Sequence, residues 1–200
     1  MKIAIVTGSG GLVGSESAIF FHKKKFHIIG IDNDSRKYFF GKKASTIKRS
    51  NFLKKNLKNF NTKNLDIRDY KVLEKIFKKY GEKIKVIIHA AAQPSHDWAI
   101  KEPLTDFSIN AVGTLNLLEL TRRYSKNAVF IYVSTNKVYG DTPNKLPLLE
   151  KKTRFEISSS HSFFRGINES MSIDNSIHSL FGVSKTSGDL LVQEYGKNLG

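Results

Sequence analysis

The stretch Ile3-Ala4-Ile5-Val6-Thr7-Gly8-Ser9-Gly10-Gly11-Leu12-Val13-Gly14 decides how the rest of the chain reads. A short β-branched run that stops in glycines has the pattern of a buried parallel strand feeding a tight turn. Residues 15–22 then place apolar side chains at helical spacing with no proline, so the turn opens a helix. Strand, glycine turn and helix together make a cradle for phosphate. Free N–H groups at the helix start and the positive end of its dipole both favour an anion there. Gly8 can take the backbone angles of the turn, Gly11 lets a diphosphate approach the main chain, and Gly14 lets the helix lie close to the sheet. Leu12 and Val13, between the last two glycines, belong to the same candidate set.

The spacing Gly8-x-x-Gly11-x-x-Gly14 is one residue wider than the commonest dinucleotide fingerprint, so the glycines alone would also suit an ordinary turn. The next element adds the missing context. A second apolar strand, 26–31, ends in Asp32 with Asn33 beside it, about twenty residues past the turn, where an acid should hold ribose hydroxyls. Together these features predict a nicotinamide-dinucleotide site. Asp32 favours NAD because it would repel a 2′-phosphate, although Arg36 and Lys37 lie close by.

At 200 residues the chain has room for one compact domain with a real core, and one dinucleotide-binding domain over 1–200 is expected. It has no cysteine, which excludes disulfides and thiolate metal sites and fits a reducing compartment. The run before the glycines is too short for a signal peptide, and no stretch approaches a membrane span. A cytoplasmic chain without a membrane partner is expected. The excess of 33 Lys and Arg over 18 Asp and Glu asks for an acidic partner. The basic residues are spread along the chain, with a concentration over 36–63 that lacks the interleaved aromatics of a stacking platform. Solvated surface and attraction of an anionic nucleotide substrate are therefore preferred, and nucleic acid is not expected as a partner.

Further along, 33–57 has poor periodicity and reads as a loop with one helical turn at most. A third strand over 59–65 ends at Asp66-Ile67, which could border an adenine; Asp66 could equally cap the helix of 69–80. A fourth strand, 84–88, leads into His89-Ala90-Ala91-Ala92-Gln93, where Ala90, Ala91 and Ala92 are small enough for a flat ligand to lie against the backbone. His89 reads as a packed, hydrogen-bonded histidine. A helix over 103–124 carries Pro103 in its first turn and Asn110 at its middle, where asparagine suggests a buried hydrogen-bonding role. A fifth strand, 128–133, precedes Ser134-Thr135-Asn136-Lys137-Val138-Tyr139-Gly140. The polar stretch 141–175 reads as a long functional loop. The closing helix, 178–199, would set Lys185, Asp189, Gln193 and Lys197 on a polar stripe. Alternating strands and helices predict an α/β, doubly wound parallel sheet with ligands at the carboxyl ends of its strands.

Several of these motifs, in this order, resemble the extended short-chain dehydrogenase/reductase family, the NAD-dependent epimerases and dehydratases. They are Thr7-Gly8-x-x-Gly11-x-x-Gly14, Asp66-Ile67, His89-x-Ala91-Ala92, Asn110 with Gly113-Thr114-x-Asn116-Leu117-Leu118-Glu119, and Thr135-x-x-Val138-Tyr139-Gly140. The stretches 134–141 and 178–185 look most like the CDP-paratose 2-epimerase branch, which acts at C2 of a CDP-linked deoxyhexose. The resemblance implies a Rossmann-type fold, NAD, a nucleotide-sugar substrate, and a homodimer through the 103–124 and 178–199 helices. It also implies that Thr135 binds the reacting oxygen and that Lys185 holds the nicotinamide ribose while lowering the pKa of a tyrosine base. In the dehydratase branch an Asp-Glu pair follows the threonine; Asn136 and Lys137 stand there instead, which disfavours elimination of water.

Two features depart from that pattern. Phe181 occupies the position of the tyrosine, four residues before Lys185, and a phenyl ring has no ionisable proton. Loss of a positioned acid–base group costs about 10²–10⁴-fold in rate. His178 and Tyr139 are candidate substitutes, with a local structural role favoured for His178. The family's chains also run on for another hundred residues or more, carrying further strands and a sugar-binding part. The sequence therefore resembles the amino-terminal portion of such an enzyme, with strand five left as an open edge. An impaired dinucleotide-binding module is the competing expectation.

Overall fold

The computed structural model describes residues 1–199. Five parallel strands, β1 (Ile3–Thr7), β2 (His27–Ile31), β3 (Phe60–Lys63), β4 (Ile84–His89) and β5 (Val129–Tyr132), form one sheet in the order β3-β2-β1-β4-β5. The order reverses at β1, so the crevice between the ends of β1, β2 and β4 is where a doubly wound sheet binds its ligand. The predicted fold class is present.

Side chains alternate across the sheet and fill two cores. Ala4, Val6, Ile28, Val86 and Ile88 face one side, with Ala18 of α1 (Leu12–Lys23) and Leu53. Ile3, Ile5, Ile29 and Ile87 face the other, against Leu73 and Phe77 of α4 (Tyr70–Tyr80) and Leu117 and Leu120 of a later helix. Each of the valine, leucine, isoleucine and phenylalanine side chains contributes roughly 1.5–3 kcal/mol by leaving water. Asp69, not Asp66, caps α4: its Oδ1 accepts from the Val72 N–H at 3.1 Å. Gly81 ends that helix at φ 47°, a conformation glycine adopts without strain.

Residues 33–57 are not the expected loop. They form α2 (Arg36–Phe40), a 3₁₀ turn and α3 (Ile47–Asn56). The helical pattern is faint in the sequence because α3 buries only Leu53. Polar anchors hold it instead. The Arg49 Nε donates to Ser15 Oγ on α1 at 3.0 Å, and Thr46, just before α3, is bonded to Asp32 and Asp34.

The helix expected over 103–124 is present and helical throughout, but it is not regular. An unforeseen α5 (His96–Lys101) precedes it, capped by Ser95. Then α6 (Pro103–Phe107) is separated from α7 (Gly113–Tyr124) by a π-turn at Ser108–Val112. The wide turn points Asn110 inward. Its Oδ1 accepts from the Gln93 N–H at 2.9 Å, and its Nδ2 donates to the Gln93 carbonyl, Asp106 and Ser184. The buried role expected of Asn110 is therefore found, at the cost of helical regularity.

The stretch 141–175 is mostly irregular but includes an antiparallel hairpin, β6 (Leu148–Glu150) and β7 (Phe155–Ile157). The last long helix is α8 (Leu180–Glu194), capped by Ser179 and followed by a π-turn at Tyr195–Leu199. Lys185 of the expected polar stripe is buried. It is 4% exposed, and its Nζ donates to the Val133 carbonyl at 2.9 Å and lies 4.2 Å from the centre of the Tyr132 ring. Among the described residues β5 pairs only with β4, and Val129 and Ile131 are exposed on it.

His89 is packed as expected. Its Nδ1 and Nε2 bond the Thr7 and Thr114 hydroxyls at 2.7 and 2.9 Å, and burial, aided by the charge of Lys185, pulls it down to about 3. Unfolding restores an ordinary imidazole, so the unfolded chain binds the extra proton between about pH 6.5 and 3. This contribution is complete above pH 6.5 and drains away as pH falls toward 3. The expected result is a melting temperature that drops over that window, with a shallower slope in His89→Gln.

Candidate functional site

All the residues expected to bind cofactor except Lys185 line one cleft at the carboxyl ends of β1, β2, β3 and β4. Gly8, Gly11, Leu12, Val13 and Gly14 form its floor. Asp32 and Asn33 follow β2, Asp66 and Ile67 follow β3, and Ala90, Ala91 and Ala92 follow β4.

The floor is tight on the protein side and open on the other. Gly8 sits at φ 65°, and a Cβ there would lie 2.8 Å from the Ala91 nitrogen. A Cβ on Gly14 would lie 2.1 Å from the Gly8 carbonyl oxygen, so α1 can start this close to β1 only without a side chain. On Gly11 it would meet only that same oxygen, at 3.2 Å. No side chain caps the start of α1 and no acid stands in its first turn. This end of the helix can therefore receive an anion from outside.

Asp32 is held from three sides. Its carboxylate accepts from the Gly10 N–H at 2.8 Å, the Asp34 N–H at 2.9 Å and the Thr46 hydroxyl at 2.9 Å. It thereby joins the glycine turn to the segment leading into α3. Thr46 lines the cleft and was missed in the sequence. The available signal was Ser45-Thr46 ahead of a helix, but the Thr46 hydroxyl serves Asp32 and Asp34 rather than its own helix. Asp66 borders the cleft in a bidentate pair with Arg68 and accepts from the Asn33 amide. Burial would raise this carboxyl, but the bonds and charge of Arg68 keep it below the usual carboxylate range.

Lys185 and Thr135 stand apart from that floor. Val133 lines the cleft, and Lys185 is bonded to its carbonyl, so the lysine lies just behind the cleft wall. Burial brings Lys185 down to about 8, against the opposing charges of Asp189 and Asp106. Thr135 lines a second hollow beside the end of β5, with Ser134, Tyr139, Met171 and Asp189. Its hydroxyl accepts from the Lys137 N–H at 3.3 Å.

Phe181 is 7% exposed, and its ring packs on that of His96 with centroids 4.9 Å apart. The sequence gave no reason to single out His96. The two named substitutes are occupied elsewhere. Nε2 of His178 faces the Ile173 carbonyl at 3.1 Å, in keeping with a structural role, and the Tyr139 hydroxyl donates to the Asn168 carbonyl at 3.3 Å. Asp106 is 1% exposed and receives hydrogen bonds from Gln93 and Asn110; burial raises its pKa, while the charges of His96 and Lys185 work the other way. Among the described residues no cluster of side chains suits a metal ion.

Comparison with known proteins agrees with this architecture. The model of the NAD dependent epimerase/dehydratase family matches residues 4–200. The chain is 34% identical over 200 residues to CDP-paratose 2-epimerase of Salmonella typhi, covering 100% of this chain and 54% of that one. It is also 34% identical over 194 residues to dTDP-D-glucose 4,6-dehydratase of Dictyostelium discoideum, covering 97% and 40%. A similar solved structure is the UDP-Glc/GlcNAc 4-epimerase of Campylobacter jejuni, with a TM-score of 0.72 at 22% identity, covering 99% of this chain and 50% of that one. The chain thus spans about half, or less, of the length of these relatives. Among the described residues no helix is long and apolar enough to cross a membrane. The family match runs over the same glycine corner, acid and alanine run that build the cleft, and the chain belongs to the NAD dependent epimerase/dehydratase family.

Proposed function

We propose that this chain is the NAD-binding domain of a nucleotide-sugar epimerase, acting at C2 of a CDP-linked deoxyhexose by transient oxidation and reduction. The observation that carries the reading is the cleft, where an uncapped helix start and a fixed carboxylate stand side by side, next to a run of small residues. Those residues fit the cofactor. The amides after Gly11 take the diphosphate, Asp32 with Asn33 the adenosine ribose, and Asp66 and Ile67 the adenine edge. Ala90, Ala91 and Ala92 give the flat rings a surface with nothing larger than methyl groups on it. Bound NAD supplies a hydride acceptor that later returns the hydride. Lys185 holds the nicotinamide ribose, and Thr135 donates a hydrogen bond to the reacting sugar oxygen.

Epimerisation is preferred to dehydration because Asn136 and Lys137 follow Thr135 and supply no carboxylate pair to eliminate water. The 34% identity to CDP-paratose 2-epimerase supports the choice of sugar. An apolar face spanning the π-turn, α7 and α8, with Val112, Leu115 and Leu190 exposed, supports pairing of two copies. Sedimentation at micromolar concentration reads that pairing, and a monomer throughout would refute it.

The test is isothermal calorimetry with NAD, followed by incubation with CDP-linked deoxyhexoses and separation of C2 isomers. Cofactor binding with isomer exchange is expected. Absence of heat at millimolar NAD with the chain folded would refute the dinucleotide reading. Binding without exchange favours the second reading, a catalytically impaired NAD-binding module, for which Phe181 in the tyrosine position is the specific observation.

A further inference from the structure

We infer that His96 is the acid–base residue of this site, holding the proton that a tyrosine at position 181 would otherwise hold. The inference rests on the epimerase reading above and deepens it.

The ring that replaces the expected phenol makes its aromatic contact with an imidazole, at 4.9 Å between centroids and 58° between planes. His96 opens α5, two residues after Pro94, which lines the dinucleotide cleft. It therefore lies between that cleft and α8. The ring is half-buried, and among the described residues neither of its nitrogens bonds a protein group, so both are free for a ligand.

The other candidates are spent or unsuited. His89 is fully enclosed, with both nitrogens on threonine hydroxyls. Both nitrogens of His178 face backbone carbonyls. Tyr132 directs its hydroxyl to the Lys185 carbonyl, and burial pushes its pKa up, away from use as a base.

Chemistry favours the exchange of groups. A phenol needs a nearby cation to become a base near neutral pH, whereas an imidazole titrates there unaided. The charged group that acts on His96 from another element is Asp106 on α6, which also feels the charge of Lys185 on α8; Asp97 and Lys101 share the helix of His96. Asp106, enclosed one helix away, interacts with His96 by charge, and in its ionised form it stabilises an imidazolium once formed. In the reaction the sugar hydroxyl proton passes to an imidazole nitrogen of His96 as the carbon bearing it is oxidised by the cofactor. The same nitrogen returns the proton to the carbonyl oxygen when hydride comes back, so protons and electrons balance over the cycle. Phe181 packs against the imidazole and fixes its plane.

The test uses the full chain with isotope-labelled histidine, and His96→Gln identifies the His96 ring signal. Its titration is followed with saturating oxidised NAD and with saturating reduced NAD. The positive nicotinamide of the oxidised form should lower the His96 midpoint by roughly half a pH unit or more relative to the reduced form. Equal midpoints with both forms bound would overturn the inference while leaving the dinucleotide site intact. Failure of either form to bind overturns both. With CDP-sugar, His96→Gln should slow isomer exchange by about 100-fold or more while NAD affinity stays within about threefold. Phe181→Tyr in that background should restore part of the rate. Exchange at the wild-type rate in His96→Gln would overturn the inference.

Discussion

Replacing Gly14 by alanine is expected to lower the melting temperature by about 5–10 °C and to weaken NAD binding by about 100-fold or more. The added Cβ would lie 2.1 Å from the Gly8 carbonyl oxygen, 2.7 Å from its carbon and 3.0 Å from the Ser9 Cα. All three are main-chain atoms of the turn, so no side chain can swing aside. Relief requires α1 to move outward, which opens the contact between α1 and β1 and drags the amides away from the diphosphate. Overpacking of this kind costs about 1–3 kcal/mol. Gly11→Ala separates the two effects, since its Cβ would meet protein only at 3.2 Å. That variant should melt near the parent temperature yet lose NAD affinity, because the methyl group projects into the approach of the ligand. A Gly14→Ala protein that melts and binds like the parent would show that the close approach of α1 is not required.

Asp32→Ala is expected to reduce NAD affinity by about 100-fold and to narrow the preference over NADP. Three protein donors converge on this carboxylate, from Gly10, Asp34 and the Thr46 hydroxyl. Its removal leaves the Gly10 and Asp34 N–H groups without their acceptor, keeps the Thr46 hydroxyl only on Asp34, and loosens the α3 segment from the glycine turn. It also removes the charge that opposes a 2′-phosphate, while Arg36 stays on the cleft wall. Asp32→Asn is expected to fall between the two, because one amide oxygen cannot serve donors on both sides of the group. Calorimetry with both cofactors reads the result, and an unchanged NAD affinity in Asp32→Ala would remove the ribose-binding role.

These effects concern the part of the molecule most legible in the sequence. Parallel strands buried on both faces write themselves as apolar runs, and the glycine corner and Asp32 follow from what a diphosphate and a ribose need. Much of the cleft lining was therefore readable, although Thr46 was not. Elements stabilised by polar anchors were not. α3 buries one leucine, and its position depends on Arg49 and Thr46, whose partners lie up to 34 residues away in sequence. The π-turn was hidden for a related reason, since a continuous helix and an interrupted one share the same periodicity on either side of Asn110. Spacing placed Lys185 on a polar stripe with Asp189, Gln193 and Lys197, and could not show its burial, because a lysine at helical spacing looks alike whether it meets water or a carbonyl. His96 carried no local mark at all; it matters only because folding sets it against Phe181.

The four bonds of Asn110 have a consequence for how a bound molecule escapes. They tie the exit of β4 through Gln93, α6 through Asp106, and α8 through Ser184 into one unit that cannot part without stranding buried polar groups. The opposite bank, α2 and α3, is tied to the glycine turn through hydrogen bonds to two aspartates, is anchored in the core by Phe39 and Leu53, and has Gly41 between its helices with open space around it. An opening that lets a bound molecule leave is therefore expected on the side of the cleft away from Asn110.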